Sequence, residues 1–255
     1  MKIKVLGCSG AESPGSGTSS FLLDDRILFD AGSLTNILDK KKQLKVECIF
    51  ITHAHLDHIT GIPYLAENIV FGSTRRKVDI IGTPHVMKMI KRHLLNGSVW
   101  PDFTVIPDAH HGILKLIELK PGQSMKVNDY TITPYEVNHT VPAVGYLVED
   151  QKERRFFYTG DTGPSDGTWK KMGDKRLQCL IIEVSFPNRM EEFAIKTGHL
   201  TPLLIKKELS KMKLVPERIY ITHMKPQFLR PIKTEIRKLG IKNLRLLRDG
   251  ETIEV

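Results

Sequence analysis

The stretch THAHLDHITGIP, from Thr52 to Pro63, places His53, His55, Asp57 and His58 within six residues, directly after the apolar run VECIFI. Imidazoles and carboxylates bind cations or carry protons. A single histidine there would be read as a solvated or hydrogen-bonded group. Four such side chains are harder to explain that way. His53 and His55 alternate, which points two rings in one direction, while Asp57 and His58 turn toward a second position. Two adjacent metal ions account for the crowding.

Other residues of the same chemical kind stand where apolar, strand-like runs end. TITPYEV leads to Asn138 and His139, RRFFYT to Gly160 and Asp161, LQCLII to Glu183, and RIYIT to His223. Loops at strand ends are where a rigid scaffold carries its chemistry. Taken singly, His139 reads as a loop histidine, Asp161 as a turn residue, and His223 as either. Together they complete a count: His53, His55 and His139 for one ion, Asp57, His58 and His223 for the other, and Asp161 bridging. Nitrogen and carboxylate donors without a thiolate suit Zn²⁺ best, with Mn²⁺ or Fe as alternatives.

HAHLDH followed by single His, Asp and His residues resembles the metallo-β-lactamase superfamily. That resemblance runs over essentially the whole chain. It implies an α/β (α+β) fold, a four-layer αβ/βα sandwich of two mixed sheets flanked by helices, with a dinuclear site at one edge. Within it, VWPDF at 99–103, HTVPAVGY at 139–146, GDTGP at 160–164, IIEVSFPN at 181–188 and GHLTP at 198–202 are similar to the class II 3′,5′-cyclic-nucleotide phosphodiesterases. The implied reaction is hydrolysis of cyclic AMP, with cyclic GMP as a further substrate, to the 5′-monophosphate.

Two cations about 3.5 to 4 Å apart can generate hydroxide at neutral pH and clamp the phosphoryl oxygens, with Asp57 among the catalytic groups. A ribose 3′ oxygen is a strongly basic leaving group and needs a proton as its bond breaks. The resemblance assigns this acid to His199 and the carboxylate that orients its ring to Glu183. A helix-entry histidine and a capping or ion-paired glutamate are the plainer readings of these two residues.

Several competing functions fit less well. Ribonuclease Z carries a transfer-RNA-gripping arm between its third histidine and its bridging aspartate, and here only residues 140–160 lie between them. The β-lactamases have a cysteine where Asp161 stands, and a glyoxalase II-like thioesterase leaves Glu183 and His199 without a task. A non-catalytic metal-dependent nucleotide or nucleic-acid binder predicts lost ligands, and none is lost. His85, His93, His110 and His111 fit no ligand count. Trp100 and Phe103 could stack on a purine, but a core or lid role is the better reading.

The elements that must position these groups are legible in outline. KIKVLGC, TSSFLLDD and RILFDAG read as an antiparallel meander. A weak helix spans Gly61 to Asn68, and Thr83 with Pro84 opens another that runs to about Leu95. Thr201 and Pro202 open a third, with Leu204, Ile205, Glu208 and Met212 on one face. IRKLG ends a last helix at Gly240, before strand LRLL, a turn at Asp249 and Gly250, and strand TIEV. IFITH at 49–53 and IYITH at 219–223 hint at an internal duplication.

With 255 residues, 40% hydrophobic and 26% charged, the chain suits one globular domain spanning residues 1–255. The net charge of +9 favours anionic partners. The basic clusters at Lys40 to Lys45, Arg75 to Lys77 and Lys206 to Lys213 are scattered and read as solvated faces. Three cysteines argue against a disulfide framework, and no run is long enough for a signal peptide or a membrane span. The expectation is a cytoplasmic enzyme acting on a small cyclic nucleotide, without a membrane or nucleic-acid partner, and compatible with a homodimer.

Overall fold

In KIKVLG, apolar side chains alternate with lysines, and in a computed structural model of the chain this run forms the first strand, β1 (Lys2–Gly7), with Ile3 and Val5 buried. The structure describes residues 1–72 and 76–255, so Arg75 of the basic cluster at 75–77 lies outside the described residues. These residues group into two compact units.

The first unit comprises Met1–Gly7, Gly17–Lys120 and Asp249–Glu254. Its strands are β1, β2 (Ser20–Leu23), β3 (Ile27–Phe29), β4 (Cys48–Phe50), β5 (Val78–Gly82), β6 (Leu114–Glu118) and β14 (Thr252–Glu254). They form a seven-stranded sheet in the order β14-β1-β2-β3-β4-β5-β6. The meander from β1 to β3 is antiparallel as expected, and β3 to β6 run parallel. Helices α1 (Leu34–Ile37), α2 (Lys40–Gln43), α3 (Leu56–Ile59), α4 (Gly61–Val70) and α5 (Pro84–Met89) belong to this unit. Leu22, Leu28, Ile49 and Ile80 from the strands share one core with Leu34, Ile62, Leu65, Ile69 and Val86 from the helices.

Thr83 caps α5 by accepting from the Val86 N–H. The expected run to Leu95 is reached differently, because α5 ends at Met89 and a π-helical turn covers Ile90–Leu94. Phe103 is buried in the core and Trp100 packs against it, edge-on to Tyr64 at 5.3 Å, which is the core role read for both.

The second unit comprises Cys8–Ser16, Pro121–Arg248 and Val255. Its sheet holds β7 (Met125–Val127), β8 (Tyr130–Glu136), β9 (Val144–Asp150), β10 (Arg155–Tyr158), β11 (Cys179–Glu183), β12 (Arg218–Thr222) and β13 (Leu244–Leu246). The order is β13-β12-β11-β10-β9-β8-β7, antiparallel from β7 to β10 and parallel from β10 to β13. Its helices are α6 (Asp166–Met172), α7 (Glu191–Lys196), α8 (Pro202–Ser210) and α9 (Leu229–Lys238). Leu180, Ile182, Ile219 and Ile221 share a core with Trp169, Leu204, Ile205, Ile232 and Ile236.

The expected turn at Asp249–Gly250 forms, but the strands on either side of it do not pair, since β13 lies beside β12 and β14 beside β1, in different sheets. IFITH and IYITH do not mark equivalent strands either. The second strand of each parallel half is β4 in one sheet and β11 in the other, whereas IYITH forms β12. Cys8, Cys48 and Cys179 are buried thiols. No helix among the described residues is long and apolar enough to cross a membrane.

Candidate metal centre

In the first unit, β3 and β4 are parallel neighbours, so the segments leaving them emerge at the same end of the sheet. Asp30 follows β3 with a positive φ of 54°, a conformation uncommon outside glycine. Its buried carboxylate receives three donors: the Thr52 N–H at 2.8 Å, the Thr52 hydroxyl at 2.9 Å and His58 Nδ1 at 2.7 Å. Thr52 Oγ1 in turn lies 3.0 Å from His53 Nδ1. Asp30 therefore orients His58 directly and His53 through a hydroxyl, and both rings are left to present Nε2.

His53 Nε2 lies 3.0 Å from His55 Nδ1, and His58 Nε2 lies 3.8 Å from Asp57 Oδ2. Ligands bound at roughly 2.0 to 2.2 Å to one tetrahedral zinc ion are themselves about 3.3 to 3.6 Å apart, between these two separations. The four residues of the HAHLDH motif thus converge within this unit, His53 and His58 fully buried and His55 and Asp57 half-buried.

In the second unit, His139 follows β8 and donates Nδ1–H to the Gly198 carbonyl at 2.8 Å, turning Nε2 toward Asp161 Oδ2 at 4.0 Å. Gly198 has a φ of +69°, and a Cβ there would sit 2.8 Å from His139 Nδ1, so glycine is required. Asp161 directs its other oxygen, Oδ1, to His223 Nε2 at 3.2 Å. One carboxylate facing two imidazoles is the arrangement a bridging ligand needs.

Glu183, the last residue of β11, is fully buried. Its Oε1 accepts from His199 Nδ1 at 2.7 Å and from the Thr162 N–H at 3.1 Å. Asp161, His199 and His223 each offer an atom within 4.8 Å of the others. Burial presses His139 below the ordinary imidazole value, against the opposing pull of Asp161. Burial acts on His199 in the same sense, but the charge and hydrogen bond of Glu183, with help from Asp161, overcome it and hold His199 above that value.

All seven expected ligands, together with Glu183 and His199, lie in one of these two clusters. Asp30 was missed, as was Ser185, whose hydroxyl lies 2.9 Å from both Glu183 Oε2 and His223 Nδ1, although an acidic residue straight after RILF in RILFDAG is a strand-end arrival like the others. His85, His93, His110 and His111 belong to neither cluster; His111 pairs with Asp108 on the surface.

The family model of the beta-lactamase superfamily domain matches residues 25–224. The chain belongs to this superfamily. A relative from Yersinia pestis, a probable 3′,5′-cyclic-nucleotide phosphodiesterase, is 29% identical over 95% of this chain and 83% of its own length. Ribonuclease Z of Thermococcus kodakarensis is also 29% identical, over 80% of this chain and 64% of its own length. The crystal structure of unliganded yeast PDE1 superimposes with a TM-score of 0.84 at 20% identity, covering 100% of this chain and 99% of that one, which shows a shared fold. The superfamily is one of hydrolases whose fold typically binds divalent metals, and His/Asp clusters that could hold them are present here. The imidazoles of His53, His58, His139 and His223, each with Nδ1 already engaged, together with Asp57 and Asp161 fit such ions in each unit.

Proposed function

We propose that the protein is a dinuclear-metal phosphodiesterase that hydrolyses 3′,5′-cyclic nucleotides, cyclic AMP and also cyclic GMP, to 5′-monophosphates. It would act in the cytoplasm as one catalytic domain over residues 1–255. The proposed ligands are His53, His55 and His139 for one cation, Asp57, His58 and His223 for the other, and Asp161 for both. Zn²⁺ suits these donors best. When bound, the two ions would activate water at neutral pH and neutralise charge on the phosphoryl oxygens.

The protein's own residues do the rest. His199 holds a proton on Nε2 for the departing O3′, with its ring fixed by the 2.7 Å bond from Nδ1 to Glu183. That pair carries the reading, since it supplies the acid that a poor alkoxide leaving group requires. Incubation of the zinc-loaded protein with cyclic AMP is expected to yield 5′-AMP. Retention of that turnover in both His199→Ala and Asp161→Ala would overturn the proposal.

A ribonuclease Z-like activity is the second reading, favoured by the equal identity to that relative and by the net charge of +9. Against it, the segment between His139 and Asp161 is spent on β9 and β10, which pair as neighbours in the sheet and leave no arm. A transfer RNA precursor offered beside cyclic AMP separates the two readings.

A further inference from the structure

The carboxylate of Glu183 serves two imidazoles. Oε1 takes the proton of His199, whereas Oε2 takes the hydroxyl of Ser185 at 2.9 Å. Ser185 Oγ also lies 2.9 Å from His223 Nδ1, and the residue is completely buried. A serine hydroxyl has one proton, so it cannot donate to Glu183 and to His223 at once.

The proposed role of His223 resolves this choice. A neutral imidazole that gives Nε2 to a cation keeps its proton on Nδ1, which must then donate. Ser185 Oγ, 2.9 Å away, can accept it, and its own proton is thereby turned onto Glu183. The opposite setting, with Ser185 donating to His223, removes that donor from Oε2. The first unit contains the same device: Asp30 holds His58 directly at 2.7 Å and His53 through the hydroxyl of Thr52, at 2.9 and 3.0 Å. A carboxylate, a hydroxyl and two imidazoles recur with closely similar distances on unrelated sequence.

We infer that Ser185 is a positioning residue that locks His223 in its Nδ1–H form and joins it to the Glu183–His199 pair, so that metal binding and acid alignment depend on one another. This rests on the reading of His223 as a metal ligand. No contact of Ser185 with substrate is involved.

The test combines equilibrium Zn²⁺ affinity, measured by competition with a chromogenic chelator, with the side-chain ¹⁵N–¹H NMR signals of the histidines and the kinetics on cyclic AMP. Ser185→Ala is expected to weaken Zn²⁺ binding at least tenfold, to lose the His223 Nδ1–H signal, and to lower kcat more than it changes KM. Ser185→Thr, which keeps the hydroxyl, should recover the signal and most of the affinity. If the alanine variant does not fold, Ser185→Cys carries the same expectations, because a thiol is a weak acceptor for the His223 Nδ1–H and a weak donor to Glu183.

Wild-type affinity and signal in Ser185→Ala, with affinity lost in His223→Ala, would overturn the inference while leaving the ligand reading intact. Full affinity in His223→Ala would remove the ligand reading, and the inference with it.

Discussion

An imidazole presents one nitrogen to a cation in a fixed direction only when the other is bonded, and here a single carboxylate performs that service for two rings. Asp30 is the case most open to test. Asp30→Ala removes the partner of His58 and the anchor of Thr52 together, so Zn²⁺ affinity should fall by roughly 10- to 100-fold in a chelator competition. Unchanged affinity would mean that the motif orients itself. The acid and its orienter can be examined in the metal-free protein by NMR titration. His199 should titrate above the ordinary histidine value and His139 below it.

The signs follow from linkage. The raised His199 contributes stability that is present below the unfolded histidine value and lost as pH rises through the folded one. The lowered His139 opposes folding as pH falls below the unfolded value. Glu183→Gln removes the charge that outweighs burial, so His199 should move downward; a His199 that stays put would exclude Glu183 as the cause.

At the scale of elements, α8 carries more than the apolar face its sequence suggests. Glu208 sits on that face because its Oε2 accepts from Trp169 Nε1 at 2.7 Å and from the Ser165 N–H at 3.0 Å, which ties α8 to α6. Glu208→Ala would leave a buried indole N–H without its partner and should cost about 3 kcal/mol in urea unfolding, with kcat of the folded protein retained. A loss below about 1 kcal/mol would show that water or a shifted side chain replaces it.

The sequence made α8 legible through Thr201, Pro202 and the spacing of Leu204 and Ile205, since cap and period are local properties. It did not make the partner of Glu208 legible, because Trp169 is 39 positions away. The same division holds at the metal clusters. His53, Asp161 and His223 announce themselves by residue type at strand ends, but Asp30 and Ser185 matter through pairings of 28 and 38 positions that no local pattern encodes. The Asp249–Gly250 turn forms where its residues place it, but turn chemistry specifies a reversal and not which sheet receives the next strand.

For the whole molecule, the charge of +9 is the property most easily mistaken for a nucleic-acid signature. The lysines of Lys40 to Lys45 and Lys206 to Lys213 are mostly exposed. A basic cleft of about 420 Å³, lined by Lys77, Lys91, His110 and Lys115, has Lys91 engaged by Asp102 and Lys77 bonded to the His110 carbonyl. Charge dispersed in this way raises the local concentration of any anion without fixing a register on a polymer. Salt therefore separates the two proposed substrates. A cyclic nucleotide carries one negative charge, so kcat/KM should fall by less than about tenfold between roughly 50 and 200 mM salt. A substrate gripped through six or more phosphates would lose roughly a thousandfold. The double variant Lys77→Glu/Lys115→Glu should leave KM for cyclic AMP within about twofold of the wild type. A steep salt dependence, or a large rise in KM in that variant, would shift the assignment toward a polyanionic substrate docking along the first unit.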